Sequence, residues 1–463
     1  MNHQKYDLVL SKGNVLVFDP DTVLKGYNIG ISNGKILKIS KGKLIGRKEI
    51  NVEDKLVSPG FIDFHSHVDG KPFSAECLLR QGATTTIGGE RNFDGLAIRR
   101  IEEDGFIINH GFYISHSFTL RKAVGIEDPY KAASQEEIEE MGILAEEFMK
   151  DGAFGVHFGL EFVPGTSETE ILALARIAKK YDRIILVHVR NDGLRAMETF
   201  DEVFYACRET GCKAHILHLL YMVGFRDIMD IALEHIDTAL GEGLDVTADT
   251  GLYGGYPTCI GSSLLDGDWT KKYGDSTTLK NLVISSGIYS KMECNQEMFE
   301  FLREEYPNTL VTILVLEEEE IPRALVKPYM FVSTNAADGP HYDDIGHPET
   351  TGTFPKLIRE YVLDKHVLSL ESAIKKITCM PADRLGIKEK GRLKEGYDAD
   401  IVVLDLNSLR PCSDYIHLGN PNEAPLGVET VIVNGGIAMH NNAVKSDSKF
   451  GKMLRHKTKI IHS

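Results

Sequence analysis

Up to about residue 55 the chain alternates apolar and polar positions in short runs, at 6–10, 15–18, 27–32 and 35–40. Lys12-Gly13, Asp19-Pro20-Asp21 and Asn33-Gly34 interrupt them. Alternation broken by turn residues predicts β-strands joined by tight turns. The C-terminal part repeats the style. Residues 400–405 read as a buried strand, and 430–433, Asn434-Gly435-Gly436 and 437–439 read as a hairpin. Chain ends often lie close together, so both segments are expected to form one small β module.

Between these ends, short apolar runs alternate with amphipathic stretches. Strands are expected at 84–88, 111–115, 153–157, 184–188, 214–218, 245–248, 311–315 and 329–333, with helices such as 135–150 and 168–180 between some of them. Strand–helix alternation over this length predicts a parallel (β/α)₈ barrel of the α/β class. The expected division is 1–57 for the first part of a β-sandwich, 58–385 for the barrel, and 386–463 for the rest of the sandwich and a C-terminal tail.

Composition narrows the function. A formal net charge of −16 disfavours nucleic acid as a partner. No apolar run approaches the ~20 residues that span a membrane, and MNHQKYDLVL lacks a signal-peptide pattern. The seven cysteines are scattered, with no CxxC pair. A cytoplasmic enzyme with reduced thiols is expected, acting on a small molecule; self-association into a homo-oligomer stays open.

The chemistry gathers at strand ends. The apolar run from Ser58 closes on His65-Ser66-His67. On a strand, residues two apart share a face, so both imidazoles can serve one metal ion. His188 and His218 each close an apolar run, and barrel chemistry sits at strand C-termini. Asp338 follows the last expected strand, where an acid can bind metal and exchange a proton with water. His215, three residues before His218, is expected on the opposite strand face.

Several segments together resemble the amidohydrolase superfamily, in its N-acyl-D-amino-acid deacylase branch. They are Pro59 to His67, Gln81-Gly82-Ala83-Thr84-Thr85, His116 to Arg121, Gly152 to Gly165, His188-Val189-Arg190-Asn191-Asp192, Asp249, His347-Pro348, Gly352 to Lys356, Thr378 to Gly386 and Gly391 to Asp405. The resemblance covers nearly the whole chain. It implies a metal-bearing (β/α)₈ barrel with a β-sandwich from both chain ends. It implies His65, His67 and Asp338 at one metal position, His188 and His218 at the other, and Asp338 as general acid/base for hydrolysis of a linear amide by metal-activated water. One or two divalent ions are implied, zinc first.

Three departures stand out. The family's cysteine ligand, after the strand that follows Gln81-Gly82, is absent; the segment reads Gly88-Gly89-Glu90-Arg91. Glu90 is the candidate replacement, and a carboxylate in place of a thiolate opens the site to manganese or iron. Where the family has lysine after the second histidine pair, this chain has Leu220. Where the family reads His-Pro-Arg, it has Glu349. Those basic residues are associated with gripping a substrate carboxylate, so the expected clamp is missing.

Further candidates for substrate contact are His157, where the family has a small hydroxyl residue, Arg121 on the loop after a strand, Tyr253 in a glycine-rich loop, and His341 after Asp338. Structural support for Arg121 and loop packing for Tyr253 are equally open. Two alternatives remain: a cyclic-amide hydrolase resembling dihydroorotases and hydantoinases, which prefer a lysine bridge not found here, and a non-catalytic barrel scaffold.

Overall fold

The computed structural model describes residues 5–89, 95–336, 346–445 and 447–457. Both chain ends enter one nine-stranded sheet. Its path runs Ala443–Val444, Gly436–His440, Val428–Val433, Ile401–Leu404, Leu56–Pro59, Lys5–Val17, Thr22–Ser32, Lys35–Ser40, and Ile45–Asn51 also pairs with Lys5–Val17. The seam between the ends is antiparallel, with Val57 opposite Val403 and Leu56 opposite Leu404.

Period-two alternation sorts this sheet's side chains. Val57, Ile401 and Val403 join Leu8, Leu10, Ile29 and Ile432 in a core of their own. Leu56, Val402, Leu404 and Val431 turn the other way, into the large core shared with the barrel. Asn33-Gly34 and Asn434-Gly435 both adopt left-handed backbone, with φ of 52°, 75°, 46° and 80° in that order. Such pairs match tight hairpin turns. The two turns also abut: a Cβ on Gly435 would stand 2.8 Å from Gly34 Cα. The expected strands at 6–10 and 15–18 are one bulged strand, with register shifts on both sides of Gly13.

The barrel strands are β1 (Phe61–Asp63), β2 (Ala83–Gly88), β3 (Asn109–Phe112 continuing as Ile114–Ser115), β4 (Gly155–Gly159), β5 (Ile184–His188), β6 (Lys213–Ile216), β7 (Val246–Thr250) and β8 (Met330–Val332). Each is parallel to the next. The ring closes just past β1 and β8: Asn335 N donates to the His65 carbonyl at 3.0 Å and His67 N to the Ala336 carbonyl at 2.8 Å. The fold is a (β/α)₈ barrel with a β-sandwich. The surrounding helices include Gln135–Lys150 and Glu168–Lys180, each opened by a capping box, Ser134 with Glu137 and Ser167 with Glu170.

One expected barrel strand lies elsewhere. Residues 311–315 fall on Leu310–Ile313, which pairs antiparallel with Tyr256–Cys259 and Leu282–Ile284 in a separate sheet inserted between β7 and β8. A short apolar β-branched run is buried in either setting, so its pattern does not say which sheet it joins. Among the described residues no disulfide forms, and no helix is long and apolar enough to cross a membrane.

Candidate metal centre and substrate pocket

Three strands bring imidazoles together at or just past their C-terminal ends, and a fourth adds one from its middle. His65 and His67 follow β1, with ring centroids 5.1 Å apart. The strand ends at Asp63, so the i, i+2 argument is not what aligns them; the closing hydrogen bonds to Asn335 and Ala336 hold that segment. His188 is the last residue of β5. His218 stands 4.6 Å from His188 and 5.5 Å from His65, ring to ring. It lies two residues past β6 in left-handed backbone, φ 30°, heading the helix Leu219–Val223. Strand alternation therefore does not separate it from His215. His157, in β4, has its ring 5.7 Å from that of His65.

Carboxylates and an amide contact these rings, Asn335 and Glu161 from the pocket wall itself. Asn335 Oδ1 is 3.0 Å from His67 Nε2. A carbonyl oxygen there places the ring proton on Nε2 and the lone pair on Nδ1. Glu161 Oε2 lies 3.1 Å from His188 Nε2, and Lys272 Nζ donates to Glu161 Oε1 at 2.6 Å. Asp249, buried in β7, accepts from His218 N and Ser333 Oγ, with Oδ2 3.8 Å from both His65 Nδ1 and His215 Nε2. Carboxylate or amide partners on the outer nitrogen are how proteins orient metal-binding histidines.

The residues fit a divalent ion. Burial, with the neighbouring imidazoles, pushes His218 well below the ordinary histidine value, which favours the neutral form that a metal ion requires. Its Nδ1 is buried and has no hydrogen-bond partner among the described residues. Unsatisfied buried nitrogen is costly unless something binds it. Among the described residues no three His, Cys, Asp or Glu groups by themselves form a set able to hold an ion. The carboxylates expected to join them, Glu90 and Asp338, lie outside the described residues, as does His341.

The pocket beside this cluster is walled by His67, His188 and His218, by Glu161, Phe162 and Asp192, and by Tyr221, Met222, Tyr256 and Asn335. Arg121 is not there. It is buried, with Nη1 donating to both Glu170 oxygens at 2.8 and 3.0 Å and Nη2 to the Lys131 carbonyl. His116 Nε2 shares Glu170 Oε1 at 2.7 Å. An arginine so committed braces the loop after β3 and does not line this pocket. Tyr253 is also off the wall: Lys356 Nζ sits 4.3 Å above its ring, and His347 packs at its edge. Loop packing, not pocket lining, is what holds it.

The two departed positions are both buried. Leu220 sits in the large core. Glu349 is fully buried, accepts the Tyr221 hydroxyl on Oε2, and has Oε1 3.4 Å from His347 Nδ1. Burial pushes its carboxyl well above the usual range. Glu349 therefore presents a neutral acid to Tyr221 rather than a charge to the pocket.

Sequence reasoning passed over Glu161, Asp192, Asn335 and the bracing role of Asp249. The signal was present. Glu161 and Asp192 closely follow the ends of β4 and β5, where barrel chemistry belongs, and Asp249 interrupts an otherwise strand-forming run.

Amidohydrolase family profiles match residues 56–248 and 337–439. D-aminoacylase of Alcaligenes xylosoxydans xylosoxydans is 28% identical over 473 residues, covering 93% of this chain and 94% of that protein. A solved D-aminoacylase structure concerned with its binuclear metal centre superposes with a TM-score of 0.84 at 24% identity, covering 97% of this chain and 100% of the other. The N-acyl-D-glutamate deacylase of Bordetella bronchiseptica, complexed with zinc and a phosphonate mimic of the tetrahedral intermediate, superposes at 0.85 with 23% identity, covering 98% and 100%. The chain belongs to the amidohydrolase superfamily, in its D-aminoacylase-like branch.

Proposed function

We propose that this protein is a metal-dependent hydrolase that releases the acyl group of a linear N-acyl amine in the pocket beside His188 and His218. The convergence of His65, His67, His188 and His218 at strand C-terminal ends carries this reading, since a scaffold has no need of neutral imidazoles aimed at one place. Relatives it resembles over nearly their whole length include a D-aminoacylase and an N-acyl-D-glutamate deacylase.

His65 and His67 hold one metal position and His188 and His218 the other, with Asp338 and Glu90 supplying the carboxylates. Zinc is the ion proposed, and a carboxylate at Glu90 leaves manganese or iron competent. Such an ion polarises an amide carbonyl and lowers the pKa of water towards ~7. The remaining tasks fall to the chain. Asp338 takes the proton from the attacking water and gives it to the leaving nitrogen. Asn335 and the Lys272–Glu161 pair keep His67 and His188 oriented. Asp249 holds the backbone of His218, and Phe162, Tyr221 and Tyr256 wall the pocket.

The test is a panel of linear N-acyl compounds beside cyclic amides such as hydantoin and dihydroorotate, given to metal-replete protein. Free amine should appear from linear substrates and ring opening should not occur. Ring opening with every linear amide inert would overturn the reading in favour of a cyclic-amide hydrolase.

A further inference from the structure

The pocket wall carries acids and, among its described residues, no lysine or arginine. Two carboxylates line it, and their situations differ. Glu161 is occupied on both sides, by Lys272 Nζ at 2.6 Å and His188 Nε2 at 3.1 Å. Lys272 is committed in turn, since Nζ also reaches the Leu264 carbonyl at 3.4 Å. Asp192 feels the charge of Lys272, but that ammonium is bonded to Glu161, and among the described residues no cationic side chain hydrogen-bonds to Asp192. Tyr273 donates to its Oδ2 at 2.5 Å, and Oδ1 accepts nothing among the described residues. Asp192 precedes the helical turn Gly193–Arg195 yet makes no capping bond to it. Its carboxylate is thus aimed away from its own backbone and held from one side by Tyr273, whose hydroxyl also meets that of Tyr256 on the wall.

A ligand carboxylate entering this pocket away from the metal positions would meet Asp192 and Glu161, with no uncommitted lysine or arginine among the described wall residues to receive it. A ligand ammonium would find a fixed, half-satisfied carboxylate. Charge-assisted hydrogen bonds to an ionised acceptor are the strong ones, and juxtaposed like charges are the usual means of rejecting a competitor. Burial and the neighbouring Glu161 push the Asp192 carboxyl up to about 7, a cost that an incoming cation offsets.

We propose that Asp192 is a specificity-determining residue that receives a cationic amine on the substrate, so that the preferred substrate is an N-acyl compound bearing a free amino group rather than a free carboxylate. This rests on the pocket being the site of amide hydrolysis.

Three acetamides of matched length test it on the metal-replete enzyme: mono-N-acetylcadaverine as cation, N-pentylacetamide as neutral, and N-acetyl-aminovalerate as anion. The expected order of kcat/KM is cation, neutral, anion. Asp192→Asn should lower the cation-to-neutral ratio about tenfold, the worth of one hydrogen bond to a charged group. Asp192→Glu should recover part of it. An anion cleaved as well as the cation overturns the proposal, whatever the variants do. An unchanged ratio in a folded Asp192→Asn protein also overturns it. If none of the three is cleaved, the hydrolytic reading has failed separately, and calorimetric binding of the same compounds decides: tighter binding of the cation supports the role of Asp192, and equal or tighter binding of the anion removes it.

Discussion

Tyr221 donates a hydrogen bond from its hydroxyl to the buried carboxyl of Glu349, while its ring stacks on His218 at 5.3 Å and on Tyr256 at 5.4 Å. One side chain thus joins a candidate metal ligand, the inserted sheet and the helix Glu349–Lys356. The acid sits where related chains are expected to have arginine, and it serves the tyrosine behind the wall rather than a ligand in front of it.

Removing that hydroxyl should be felt as lost stability. Tyr221→Phe leaves a buried acid without its donor, which costs about 1–3 kcal/mol. Urea unfolding of metal-matched samples measures it. An unchanged midpoint would mean that the bond contributes nothing.

Glu349 also makes a pH prediction. Its folded carboxyl holds a proton well above the ordinary value of 4.5. The folded state then binds more protons than the unfolded one. The contribution is complete below 4.5 and is lost as pH rises through the higher folded value. Glu349→Gln does not titrate. The stability of wild type relative to this variant should fall as pH is raised from 4.5. A difference that is flat or grows with pH would contradict a protonated Glu349.

Arg121 separates bracing from binding. Replacing it with methionine strands the buried Glu170 charge, and breaking a buried pair costs about 3–5 kcal/mol. The folded fraction should keep its KM. A raised KM with stability intact would return Arg121 to the substrate site.

How much of this was readable beforehand follows from the kind of signal each residue gives. The barrel is legible because β4 lies between two helices that open on capping boxes and β5 follows the second of them, and the sandwich because Asn33-Gly34 and Asn434-Gly435 allow little but tight turns. His65, His67, His188 and His218 are legible because histidine at an apolar strand end is conspicuous. Leu310–Ile313 misleads because burial in a small antiparallel sheet and burial in a barrel leave the same apolar pattern. Arg121 and Tyr253 look like ligand-binding residues because sequence shows their chemistry and not their partners, Glu170 and Lys356. Asp192 is hidden for the converse reason: that it is held by Tyr273 while Lys272 is bonded to Glu161 is visible only in its surroundings.

Asp249 should matter to metal affinity without being a ligand. It accepts from the backbone N–H of His218 and from Ser333, and its carboxylate faces His65. Asp249→Asn replaces an acceptor oxygen with a donor and loosens that support. Losing an orienting partner of this type weakens metal binding about 10–100-fold. Competition with a chromophoric chelator measures it, and wild-type affinity would show that Asp249 supports only the fold.

Metal dependence is tested most directly by stripping the protein with chelator, verifying its metal content by elemental analysis, and titrating zinc back while following release of amine from a linear N-acyl substrate. Turnover should be absent in the stripped protein and rise with bound metal until the site is filled. Full turnover in protein shown to be free of metal would contradict the assignment of His65, His67, His188 and His218 to a hydrolytic metal centre.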